Sequence, residues 1–157
     1  MITYPSPAQA PTPTTAWLGM APQLNGRKTP LILLVEDDRL IADMYRYQLA
    51  REGYDIEIAA DGKLGLEAIR ARKPDLVLLD LRLPVMEGFE VLEQLRTAPA
   101  EIRRIPILIL SNYGEPRMIR EGMELGARDY LIKSATTPII LAAKIKSFLP
   151  PPPPTRL

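Results

Sequence analysis

With 157 residues, 46% of them hydrophobic and 25% charged, the chain has the size and balance of one globular domain. Its formal net charge of +1 supplies no global field toward nucleic acid, membrane or polyanion, so a charged site has to be local. The absence of cysteine and histidine excludes disulfide frameworks, thiol nucleophiles, histidine metal sites and Ser-His-Asp triads, which leaves carboxylates, hydroxyls, Lys and Arg to carry any chemistry.

Of the 17 prolines, six fall in residues 1–30 and five at 150–154, which marks both ends as tails. The expected organisation is a disordered Pro/Thr-rich leader over 1–29, a folded unit over 30–149 and a Pro-rich tail over 150–157. No apolar run approaches the ~20 residues of a membrane span, and no signal-peptide pattern opens the chain. The expectation is a cytoplasmic protein without a membrane partner.

Leu31 to Val35 is continuously apolar, as a strand buried on both faces should be. Asp38 then caps a helix in which Leu40, Met44 and Tyr47 recur at i, i+4 and i+7, with Gly53 placed to end it. A strand over Asp55 to Ala59 follows, then a helix capped by Asp61 with Leu66 and Ile69 inward. A third strand spans Leu76 to Leu79 and a helix runs from Gly88 to Arg96. A strand over Ile105 to Leu110, a helix over Pro116 to Leu125 and a strand over Arg128 to Ile132 complete the alternation. Thr137 and Pro138 open a closing helix that carries Leu141, Ile145 and Phe148 on one face. Five strands alternating with five helices predict a doubly wound α/β fold, with a flavodoxin-like parallel sheet in the order 2-1-3-4-5.

In such sheets the ligand sits outside the carboxyl ends of the strands. Here the first strand runs into Glu36, Asp37 and Asp38, the third into Asp80, the fourth into Ser111 and the fifth into Lys133. Singly, each of these is also a reasonable cap, turn or solvated residue. Together they place one site at one edge of the sheet. Bunched carboxylates raise one another's pKa unless a cation compensates, and an all-oxygen donor set suits a hard ion such as Mg²⁺. A carboxylate nucleophile, a metal, a lysine and a hydroxyl are the parts that phosphoryl transfer requires.

The stretches LILLVEDD, PDLVLLDLRLPVMEGFEVL, IPILILS and GARDYLIK resemble, in order and spacing, the signature stretches of bacterial response-regulator receiver domains, over about residues 30 to 149. The resemblance implies a phosphoacceptor switch of a two-component phosphorelay, a signalling protein that is not a turnover enzyme. It assigns the phosphorylated residue to Asp80 and the Mg²⁺ ligands to Glu36, Asp37, Asp80 and the backbone carbonyl of Arg82. It pairs Lys133 with the phosphoryl group and makes Ser111 and Tyr130 the switch pair. The donor it implies is a sensor histidine kinase or a phosphotransfer protein.

The family usually follows its lysine with a proline in a cis peptide; this chain has Lys133-Ser134, so a trans bond and a slightly displaced Lys133 are expected. Asn112 replaces a small residue after the hydroxyl, and Arg82 and Tyr113 sit where they can shield the phosphoryl group. These departures keep a phosphorylation-independent binding module as an alternative. A haloacid-dehalogenase-type phosphatase also uses an aspartate nucleophile and Mg²⁺, but it needs a second Asp where this chain has Arg82. After Leu149 only prolines and three residues remain, so the expectation is a single-domain regulator that signals by protein contact, without direct DNA binding.

Overall fold

The computed structural model describes residues 26–150 and Pro152. Most of the expected leader, and the tail apart from Pro150 and Pro152, lie outside the described residues. In chain order the elements are β1 (Leu31–Val35), α1 (Arg39–Arg51), β2 (Asp55–Ala59), α2 (Gly62–Arg72), β3 (Leu76–Leu79), α3 (Gly88–Arg96) and α4 (Ala100–Arg103). They continue with β4 (Ile107–Ser111), α5 (Pro116–Glu124), β5 (Asp129–Ile132), a 3-10 turn (Lys133–Ala135) and α6 (Pro138–Ile145). All four strand pairings are parallel and the order is β2-β1-β3-β4-β5. One helix exceeds the expected five: the single turn α4, which leads into β4.

Alternation along the strands builds two cores. Leu33, Val35, Val77, Leu79 and Ile109 pack under α2 and α3 against Leu66, Ile69, Val91 and Leu92. Ile32, Leu34, Leu78, Leu108 and Leu110 pack on the other face against Ala42, Tyr45 and Leu49 of α1 and Leu141 and Ile145 of α6. The three central strands are therefore buried on both sides, which is why β1, β3 and β4 read as unbroken apolar runs.

The caps act where the sequence placed them. The Asp38 carboxylate accepts from the backbone N–H groups of Leu40 and Ile41, that of Asp61 from Leu64, and the Thr137 hydroxyl from Ile140. Gly53, at φ +95, turns the chain out of α1 in a backbone conformation that few other residues adopt.

The inward face of α1 is not the one expected. Leu40, Met44 and Tyr47 are 82%, 45% and 67% exposed, while Ala42, Tyr45 and Leu49 face the sheet. Both stripes satisfy helical periodicity. The strand immediately before Asp38 fixes the helix phase, and that tertiary constraint outranks the greater hydrophobicity of Leu and Met.

Arg27 is tied to the domain: its guanidinium donates to the carbonyls of Lys73 and Arg72 and lies 3.7 Å from Asp75. Asp75 in turn accepts from the N–H of Leu31 at 2.7 Å, which joins the approach to β1 to the start of β3.

Candidate functional site

The strand ends meet at the carboxyl edge of the sheet. Parallel pairing sets Val35 of β1 beside Leu79 of β3, so Glu36 and Asp80 emerge as neighbours. The N–H of Glu36 donates to Ala59, and the N–H of Asp80 donates to Val35. Glu36 and Asp80 are 2% and 7% exposed, whereas Asp37 is open to solvent.

Lys133 reaches in from the end of β5. Its ammonium lies 2.5 Å from Glu36 Oε2 and 2.8 Å from Asp80 Oδ2. The other oxygen of Asp80 accepts from the N–H of Leu81 at 2.7 Å, and that of Glu36 from the N–H of Asp38 at 3.1 Å. The carboxylate planes are fixed by these opposed contacts. All described peptide bonds are trans, Lys133-Ser134 included, and Lys133 still reaches both carboxylates.

Burial works to lower the pKa of the Lys133 ammonium, but hydrogen bonds to Asp80 and Glu36 outweigh it and hold the group above the ordinary lysine range. Glu36 is also raised. Burial dominates there, ahead of the opposing bond from Lys133, and the charge of Asp80 adds to it. One cation is shared between two buried carboxylates.

Carboxylate oxygens of Glu36, Asp37 and Asp80 lie within 4.8 Å of one another. Three negative charges against one lysine leave the cluster at −2, and its donors are hard oxygens. These residues fit a divalent ion with an oxygen preference.

Around this centre Ser111 is fully buried at the end of β4, and its hydroxyl accepts from the N–H of Tyr113 at 3.2 Å. The Tyr130 hydroxyl donates to the carbonyl of Tyr113. Burial pushes the Tyr130 phenol up, with a hydrogen bond to Ser111 working the other way. The guanidinium of Arg82 stacks 4.9 Å from the centre of the Tyr113 ring, joining the chain just after Asp80 to the chain just after Ser111. Every residue singled out in the sequence, Glu36, Asp37, Asp80, Arg82, Ser111, Tyr130 and Lys133, thus lies at or beside one sheet edge.

Several residues that shape the site were not singled out. Gly88 and Gly62 hold the loop after Asp80 by close packing on backbone. Val85, in the same loop, sits at φ 68, rare for a β-branched residue. Tyr45 links α1 to the loop that carries Lys133. The succession Pro84-Val85-Met86-Glu87-Gly88 before a helix signalled the turn, but nothing local signalled what it packs against.

This fold and this carboxyl-edge site define the receiver class of signalling domain. Residues 32–145 match the family "Response regulator receiver domain", and the chain belongs to it. Over 118 residues it is 39% identical to the alkaline phosphatase synthesis transcriptional regulatory protein PhoP of Bacillus subtilis, covering 75% of this chain and 48% of that protein. Over another 118-residue match it is 38% identical to the DNA-binding response regulator MtrA of Mycolicibacterium paratuberculosis, covering 75% and 50%. The chemotaxis protein CheY4 of Vibrio cholerae shares its fold at a TM-score of 0.71 and 30% identity, over 77% of this chain and 99% of that one.

The chain spans about half the length of the curated relatives it matches. Their names overturn the expectation of no direct DNA binding. That expectation rested on a net charge averaged over the chain and on the few residues after Leu149, whereas the relatives named are a transcriptional regulator and a DNA-binding response regulator. Among the described residues no helix is long and apolar enough to cross a membrane.

Proposed function

We propose that the chain is a phosphoacceptor switch of a two-component phosphorelay in which Asp80 takes the phosphoryl group. The observation that carries this reading is Lys133 bridging Glu36 and Asp80 inside a cluster of charge −2.

The free lone pairs of Asp80 attack the phosphorus of a phosphohistidine or small phosphodonor. A P–O bond forms to Asp80, the donor's P–N or P–O bond breaks, and the leaving group keeps the electron pair and takes a proton from solvent. Glu36, Asp37, Asp80 and the backbone carbonyl of Arg82 would hold Mg²⁺. When bound, that ion supplies charge neutralisation to the phosphoryl oxygens. Lys133 gives up its bond to Asp80 and pairs with a phosphoryl oxygen, while Ser111 donates to another. Arg82 and Tyr113, stacked at the mouth, limit access of hydrolytic water.

The donor on this reading is a sensor histidine kinase or a phosphotransfer protein, and the folded unit is 30–149. By likeness to PhoP and MtrA, the process served is transcription control. A phosphatase of the haloacid-dehalogenase type is disfavoured, because the position two residues after the nucleophile carries Arg82, stacked on Tyr113.

The test is incubation of the full chain with Mg²⁺ and a small phosphodonor, followed by intact mass. The expected result is a gain of one phosphoryl group, alkali-labile and absent from Asp80→Asn. Equal labelling of the Asn variant would refute the assignment.

A further inference from the structure

The loop that carries Lys133 has few anchors of its own. Lys133–Ala135 is a single 3-10 turn, and Ser134 and Ala135 are exposed. The turn is closed locally by the N–H of Thr136 donating to Lys133 and by the Thr136 hydroxyl donating to the carbonyl of Ile132 at 2.8 Å. Both bonds run back to the chain just before Thr136, to Lys133 and to Ile132 at the end of β5, and neither ties the turn to the helix packed beside it.

The bond that ties it to α1 comes from far away in the chain. Tyr45 lies in the middle of α1, is 1% exposed, and donates its hydroxyl to the carbonyl of Thr136 at 3.0 Å. Thr136 itself is buried. Losing the bond takes a partner from the carbonyl of a buried residue, which movement of the turn then has to replace. Burial pushes the Tyr45 phenol up, with the charges of Lys133 and Glu36 acting on it in opposite directions.

We propose that Tyr45 is a positioning residue for Lys133: its hydroxyl pins Thr136 and so fixes the turn that aims the Lys133 ammonium at Asp80 and Glu36. The role in phosphoryl transfer rests on the functional reading above, but the geometry of Lys133 can be tested in the resting protein.

Tyr45→Phe keeps the packed ring and removes only the hydroxyl. In the full chain, NMR of the Lys133 ζ-ammonium should give a protected resonance in wild type that shifts and broadens in Tyr45→Phe. Phosphorylation by a small donor should slow roughly fivefold, the size of one neutral hydrogen bond. The same substitution on a Lys133→Ala background should slow it no further, because effects routed through one group are not additive. An unchanged ammonium resonance in Tyr45→Phe, or equal slowing on both backgrounds, overturns the proposal. A merely structural role would lower the melting temperature and leave both readouts unmoved. If wild type takes no phosphoryl group, the functional reading fails, and the ammonium resonance still decides the positioning role.

Discussion

A Cβ placed on Gly88 would stand 2.3 Å from the carbonyl oxygen of Asp80 and 2.8 Å from the Cα of Leu81. Both neighbours are backbone, and the N–H of Gly88 donates to Leu81 at 2.8 Å, so the start of α3 is clamped onto the strand end that carries Asp80. Gly88→Ala has to push that strand end or the helix away. The expected cost is about 1–3 kcal/mol of stability, as for other overpacked sites, with slower phosphorylation. Urea denaturation checks the first part and intact mass the second. A variant as stable and as readily labelled as wild type would show that the clamp is loose.

On the proposed function, Lys133 has opposing duties toward the metal and the phosphoryl group. Lys133→Ala removes the one positive charge from the cluster of Glu36, Asp37 and Asp80. Calorimetric titration should show tighter Mg²⁺ binding, because the cluster becomes more negative. Phosphorylation should nevertheless slow by roughly 100-fold, the usual loss when a donor to developing phosphoryl or acyl charge is removed. Weaker Mg²⁺ binding would mean that Lys133 supports the metal ligands rather than competing for them.

Asp75 gives a pH signature away from the site. Burial pushes its carboxyl above the ordinary 3.8, ahead of the opposing N–H of Leu31 and the charge of Arg27. A carboxyl that holds its proton more tightly when folded contributes stability that is complete below the unfolded value and lost as pH rises through the folded value. At neutral pH the buried charge is therefore a net cost. Asp75→Asn keeps an oxygen for the N–H of Leu31, so its denaturation midpoint should exceed wild type at pH 7, with the gain vanishing below pH 3.8. A gain that persisted at low pH would point to packing rather than charge.

The sheet and its site were legible because the same residues report both. Buried parallel strands leave unbroken apolar runs, and the polar residues that interrupt them, Glu36, Asp80, Ser111 and Lys133, are those that the carboxyl edge gathers. The phase of α1 was not legible: Leu40, Met44 and Tyr47 form as good a stripe as Ala42, Tyr45 and Leu49, and only the sheet chooses. Nor were the contacts of Gly88 and Tyr45, whose partners are set by tertiary approach of backbone and loop. Val85 at positive φ breaks a local rule beside the site, where such departures concentrate.

The Ser111 and Tyr130 pair makes a prediction about switching. The Tyr130 hydroxyl is held by the carbonyl of Tyr113, whose N–H donates to Ser111, so Ser111 and the Tyr130 ring are joined through Tyr113 as well as directly. A phosphoryl oxygen that draws Ser111 inward weakens that link and frees the ring to repack along α5, β5 and α6. NMR of the Tyr130 ring should change on addition of a beryllium fluoride phosphoryl mimic in wild type and much less in Ser111→Ala. The shift in partner affinity available from such a device is about 1–3 kcal/mol. A ring that reports no change in wild type would place the switch elsewhere.

Phosphorylation of Asp80 is tested by locating the modification in the chain. Chain phosphorylated with a small donor and Mg²⁺ is treated with borohydride, which reduces an aspartyl phosphate to homoserine, then digested and mapped by mass spectrometry. Homoserine is expected at residue 80, with Asp37 unmodified in the same sample. Homoserine at Asp37 or Asp38 with Asp80 intact, or label on Ser111 in its place, would contradict this assignment.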